Sequence, residues 1–282
     1  MKTRIITALV AFAIFLPVVI FSATPFYGFA MAILAAVGCF EMLKCLGTLK
    51  IYPLSVPSLV ISTLSPIMAR TVYDLDIGIN NTDVFIALIL IYILWVFAVT
   101  VFWHKNVTVE QAAMTFMTTV YITLGFTAMV YVRDYDLFHG RWLYFVIFLG
   151  AWMTDIFAYF CGRAFGKHKL SPEISPKKTI EGSIGGVLFC ILFVMLYGFV
   201  ISRLTDYEPN YALLAGCGAV SSIVSQIGDL AMSAIKRRYG IKDYGKVFPG
   251  HGGVLDRFDS CIAVAISIFA LLHIVEKLGM FF

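Results

Sequence analysis

The stretch Asp83–Phe102 reads DVFIALILIYILWVFAVTVF, and none of the nineteen residues after its opening aspartate is charged. A helix rises 1.5 Å per residue, so about 20 such residues cross the roughly 30 Å hydrocarbon core of a bilayer. The segment therefore reads as a membrane span. Working outward from it, apolar windows separated by polar breaks predict nine spans, near 5–22, 26–46, 54–72, 83–102, 110–132, 141–161, 184–202, 211–235 and 257–279. Composition agrees: of 282 residues, 60% are hydrophobic and 13% charged, against about 25% charged in a soluble domain. A soluble fold is excluded, and an all-α polytopic membrane bundle is expected. The run before Phe21 has some features of a cleavable signal peptide, but the polytopic composition behind it favours a retained first span. The third span carries Pro57 and Pro66 with Ser55, Ser58, Ser62 and Ser65, so a kinked or re-entrant segment is expected there.

Charge placement orients this bundle. With a cytoplasmic N-terminus, sixteen of the 21 Lys and Arg residues fall on the inner side and five on the outer, as the positive-inside rule requires. Ten of them crowd into two inner loops, 162–183 and 236–256. The chain thus divides into N-terminal spans over 1–140, read as structural and lipid-facing, and a C-terminal catalytic part over 141–282 that contains both loops. The six cysteines stand singly with no CxxC pair, and read as small buried hydrophobes.

Carboxylates inside apolar helices are the next signal. Asp155 and Asp229 precede the basic boundaries at Arg163 and Lys236 by eight and seven residues, which sets both about 10–12 Å inside the cytoplasmic edge. A carboxylate at the centre of a span costs about 2.5–3.5 kcal/mol on insertion scales, so neither should face lipid. Asp256 and Asp259 are three apart and share a helical face if the last helix starts near Gly253. Convergence of Asp155, Asp229, Asp256 and Asp259 would supply hard oxygen ligands of the kind that hold Mg²⁺. For Asp155 a purely structural role stands equally well. The outer-loop residues Asp74, Asp76, Asp83, Asp134, Asp136, Asp206 and Glu208 are expected to be solvated.

In the loop 162–183, two Ser-Pro turns keep the chain out of regular helix, Ser175 or Thr179 can cap the helix that follows, and Lys177 and Lys178 sit just before it. Lysines, glycines and a helix N-terminus together form a phosphate site; the competing reading is a polybasic loop resting on anionic headgroups. Metal ligands beside phosphate loops at one membrane face point to phosphoryl or nucleotidyl transfer to a lipid.

Ser233–Arg237, Lys242–Asp243 and the run from Pro249 to Asp259 (PGHGGVLDRFD) resemble the signature of the phosphatidate cytidylyltransferase, or CDP-diacylglycerol synthase, family. Asp155 with Ala158, Tyr159 and Gly162, the run Phe165–Leu170, and Ser175–Thr179 through Glu181–Gly182 are similar to the same family. Two positions depart from its pattern: Met232 stands where a glutamate is common, and Tyr244 where a small residue is common. The resemblance implies transfer from CTP to phosphatidate, giving CDP-diacylglycerol and pyrophosphate in phospholipid biosynthesis, at the cytoplasmic face of the membrane, which for a bacterial source is the cytoplasmic membrane. It implies Mg²⁺, alone or with a second cation, on Asp229, Asp256, Asp259 and Asp155. Lys236 and Arg257 would act with the aspartates in catalysis. Ser175, Lys177, Lys178, Thr179, Arg237, Lys242, His251, Gly252 and Gly253 would bind substrate. Partners would be CTP, phosphatidate and the bilayer, with no nucleic acid and with room for a homodimer. A CTP-dependent polyprenol kinase is the nearest rival. An ion-coupled transporter is disfavoured because no paired halves are visible, and a CDP-alcohol phosphotransferase because the chain has no Asp-Gly dipeptide.

Overall fold

A computed structural model describes residues 13, 15–75, 81–135, 140–205 and 208–276. Eight helices in it are long and apolar enough to cross a membrane: α1 (Pro25–Leu46), α2 (Tyr52–Leu75), α3 (Asn81–Phe102), α4 (Val109–Asp134), α5 (Gly140–Phe165), α6 (Ile180–Leu204), α7 (Tyr211–Arg238) and α8 (Leu255–Glu276). They match eight of the nine expected spans. Half of the remaining one, 5–22, lies outside the described residues, with 15–20 helical. Between α5 and α6 lies a short antiparallel pair, β1 (Lys169–Ser171) and β2 (Ser175–Thr179).

The chain forms two compact units. The first comprises the described residues up to Tyr131 together with Tyr239–Phe258; the second comprises Val132–Arg238 and the described residues from Asp259 onward. In the first unit α2 is one continuous helix despite Pro57 and Pro66, not a re-entrant segment. Proline cannot donate to the carbonyl four residues back, and the carbonyl that Pro57 leaves, that of Pro53, accepts instead from the Trp95 indole N–H at 2.8 Å. Ser55, Ser58, Ser62 and Ser65 repeat at three- and four-residue steps, so all four lie on one buried stripe. Ser58 Oγ and Tyr92 Oη share a 2.7 Å hydrogen bond, and the Tyr92 ring stacks on Phe116 beside Leu54, Val96, Val99 and Ala112. The serines that make α2 polar thus face protein rather than lipid.

In the second unit α5 and α6 approach closely through small residues. A Cβ on Gly182 would lie 2.6 Å from the Ala158 carbonyl oxygen, and one on Gly186 would lie 3.0 Å from that of Thr154. This is the small-residue packing that holds helices together in lipid, where apolar burial gives no net drive. The opposite side of α6 presents Leu188, Leu192, Leu196 and Phe199 outward, as suits contact with acyl chains. Asp134 departs from the sequence expectation. It is buried at the end of α4, 3.8 Å from the Arg133 guanidinium, because an intramembrane end that keeps an arginine must also neutralise it.

Candidate active site

The candidate residues fall into two separate groups of side chains, one in each unit. In the second unit, the chain leaving α5 turns into the β1–β2 hairpin, with Lys169 opposite Thr179 and Ser171 opposite Ser175. Thr179 ends β2 and caps α6, its hydroxyl accepting from Gly182 N–H at 3.1 Å. Glu181, in the first turn of α6, accepts from the backbone N–H groups of Lys167 (3.1 Å) and His168 (3.2 Å) and pairs with His168 Nδ1 at 2.6 Å. These bonds staple the entry of the hairpin to its exit. Strand alternation then sends neighbouring lysines to opposite faces: Lys177 is exposed, and Lys178 pairs through Nζ with Asp229 Oδ2 on α7.

Asp229, Ser233 and Lys236 follow one another along α7 at four- and three-residue steps, and Ser233 Oγ donates to Asp229 Oδ1 at 3.4 Å. On α8, Asp259 is 8% exposed and accepts from Ser260 N–H at 2.8 Å. Asp229, Lys236 and Asp155 all lie close enough to act on it electrostatically. Lys236 is equally buried, whereas Asp155 stands exposed on α5 between exposed Trp152 and Tyr159. Three carboxylates and two ammonium groups leave this cluster with a formal charge of −1.

In the first unit, the loop from Tyr239 to Val254 wraps a cavity of about 670 Å³, lined by Lys242, Lys246, Phe248, His251, Gly252 and Arg257 among others. That volume lies within the roughly 300–1,000 Å³ of small-molecule sites. Gly250 and Gly252 turn the loop with φ of 78° and 86°, a region other residues rarely enter. Phe248 and Gly252 bridge at 2.9 Å. Asp256 Oδ2 accepts from both Tyr244 N–H (2.8 Å) and Gly253 N–H (2.9 Å), and Arg257 Nε donates to the His251 carbonyl at 2.9 Å. His251 Nδ1 is buried without a hydrogen-bond partner. Three cationic side chains against one carboxylate, Asp243, together with an unsatisfied imidazole nitrogen, leave one cavity with an excess of positive charge that suits an anionic guest.

The predicted residues therefore separate into two groups. Asp155, Asp229, Asp259, Lys178 and Lys236 belong to the second unit; Lys242, His251, Gly252, Gly253, Asp256 and Arg257 belong to the first. Ser175 and Lys177 lie on β2, and Arg237 Nε donates to the Ile174 carbonyl of the hairpin at 3.4 Å. The departures from the family pattern are absorbed locally. Met232 is buried apolar filling, and Tyr244 contributes to Asp256 a backbone N–H, which any non-proline residue supplies. Sequence reasoning passed over Glu41. It lies in α1, 4% exposed, and accepts from Val254 N–H (3.1 Å) and Leu255 N–H (3.0 Å). Its only sequence signal is an acidic residue within an apolar helix.

Among the described residues no group of three or more His, Cys, Asp or Glu side chains is already drawn together as a metal cage. The chemistry of the donors nevertheless fits a divalent cation. Asp229, half-buried, and Asp259, buried, bring carboxylate oxygens together, the exposed Asp155 brings the cluster to a formal charge of −1, and such oxygens are the ligands Mg²⁺ prefers.

A polytopic helical membrane protein with a carboxylate cluster on its helices and a basic, nucleotide-sized cavity is fitted to phosphate-bearing substrates at a bilayer. The chain belongs to the cytidylyltransferase family, whose model matches residues 2–275. Relatives named phosphatidate cytidylyltransferase include those of Staphylococcus haemolyticus, 36% identical over 264 residues, Staphylococcus epidermidis, 38% over 264 residues, and Staphylococcus aureus, 36% over 265 residues. Each alignment covers 94% of this chain and 96% of the relative.

Proposed function

We propose that this protein transfers the cytidylyl group of CTP to phosphatidate, forming CDP-diacylglycerol and pyrophosphate for phospholipid synthesis, at the cytoplasmic face of a bacterial membrane. The observation that carries this reading is the near full-length similarity to relatives of that name. The inner-side excess of Lys and Arg supports the orientation.

A phosphatidate phosphate oxygen forms the new bond to the α-phosphorus of CTP, while the bond from that phosphorus to the β-bridging oxygen breaks and pyrophosphate leaves with the electron pair. The nucleophile is already ionised, so no general base is required. The protein must instead place two anions in line and offset their charge. Lys178 and Lys236 offset charge at the carboxylate cluster. Lys242, Lys246 and Arg257 hold phosphates at the cavity, with His251 as a further donor. Asp229 and Asp259, with Asp155, would hold Mg²⁺, which when bound neutralises and orients the triphosphate. Asp256 serves by closing the loop that shapes the cavity.

The test incubates purified protein with CTP labelled at the α-phosphate, Mg²⁺ and phosphatidate, with polyprenol and diacylglycerol as alternative acceptors. Label entering lipid only with phosphatidate, together with pyrophosphate release, is expected. Label remaining in soluble CDP would identify a kinase instead.

A further inference from the structure

Glu41 lies 213 residues from Val254 in the chain, yet its two carboxylate oxygens meet consecutive backbone amides there: Oε1 accepts from Val254 N–H at 3.1 Å and Oε2 from Leu255 N–H at 3.0 Å. Those amides open α8, where no intrahelical acceptor exists for them, and a negative charge at a helix N-terminus is favoured by the helix dipole. The loop is shaped around the carboxylate on both sides. A Cβ on Gly253 or on Gly245 would collide with Glu41 itself. An acidic side chain in an apolar helix is expensive to keep, and nothing about spanning the membrane requires one here.

We infer that Glu41 is a positioning residue for cytidylyl transfer: a strap from α1 that sets the first turn of α8, which carries Asp256 and Arg257, and through it the loop 239–254 that lines the basic cavity. This role rests on the cytidylyltransferase reading. Glutamine at this position keeps one acceptor oxygen but turns an NH₂ group toward the second amide, so it holds half the strap; alanine holds none.

The test compares Glu41→Gln and Glu41→Ala with the parent protein in detergent, by hydrogen exchange of peptides over 240–258, by thermal melting and by steady-state kinetics. Faster exchange confined to 240–258 is expected, with melting close to that of the parent. The value of kcat/KM for CTP should fall about tenfold for Glu41→Gln and about a hundredfold for Glu41→Ala, following the loss of one and then both charge-assisted bonds. Parent-like exchange in this loop for both variants, or parent-like kinetics for both, overturns the inference. If Glu41→Ala fails to fold, Glu41→Gln decides alone. Exchange is read without substrate, so a parent protein inactive with CTP refutes the reaction while leaving the strap to be judged separately.

Discussion

Gly253→Ala is the substitution whose consequence follows most directly from the geometry. The added methyl carbon would stand 2.5 Å from both Cδ and Oε2 of Glu41, far inside van der Waals contact. Glu41 is not a loose side chain that can swing aside, because its two oxygens are held by Val254 N–H and Leu255 N–H. A hydrogen bond to a charged group contributes about 1.5–3 kcal/mol. Losing even one reduces the population of the ordered loop about ten- to a hundredfold, since 1.4 kcal/mol is a factor of ten. Transfer of label from α-labelled CTP to phosphatidate should fall by that factor, with hydrogen exchange rising over 240–258. The matched control is Gly216→Ala in α7, where an added Cβ meets nothing within 4 Å; it should retain full activity and melt no lower, alanine being the better helix former by up to about 1 kcal/mol. Full activity with unchanged exchange in Gly253→Ala would refute the reasoning, as would equal damage from Gly216→Ala.

Three further outcomes are expected. Lys178→Met removes the ammonium group paired with Asp229, so kcat/KM for CTP should fall at least about tenfold while the Mg²⁺ concentration giving half-maximal rate does not rise; a raised Mg²⁺ requirement in titrations would contradict the assignment. Gly186→Val drives side-chain atoms toward the Thr154 carbonyl and Ala158, and should destabilise the α5–α6 pair by about 1–3 kcal/mol, read as a lower melting temperature. Glu181→Gln weakens the bonds that hold Lys167, His168 and the hairpin, so exchange over 166–179 should accelerate without a change in overall melting.

Membrane spans were legible because each is a local property of about twenty consecutive residues, and α1–α8 follow the apolar runs within a few positions. Asp229, Asp259 and Lys236 were legible for the related reason that charge inside an apolar helix must find company. The cap at Thr179 was legible too, since capping acts over three residues. Glu41 was not, because its partners lie more than two hundred residues away and are backbone amides that leave no mark in the sequence. Nor were the partners of Asp256 Oδ2, the backbone N–H groups of Tyr244 and Gly253. The hairpin at 169–179 was hidden by its two Ser-Pro steps: Ser171-Pro172 does lead into the turn, but Ser175-Pro176 opens strand β2. The serines of α2, with its prolines, pointed to a kinked or re-entrant segment, because composition counts hydroxyls without saying that all four occupy one buried face of the helix.

Cytidylyl transfer to phosphatidate is proposed to take place at the cluster of Asp229 and Asp259. It is tested most directly by giving the protein CTP carrying distinguishable labels on its α- and γ-phosphates, with phosphatidate and Mg²⁺, alongside Asp259→Asn and Asp229→Asn shown to melt like the parent. Cytidylyl transfer puts the α-label in the lipid and the γ-label in pyrophosphate for the parent, and both products are lost in the two variants. Label from the γ-phosphate in the lipid, or parent-like transfer by both variants, would contradict it.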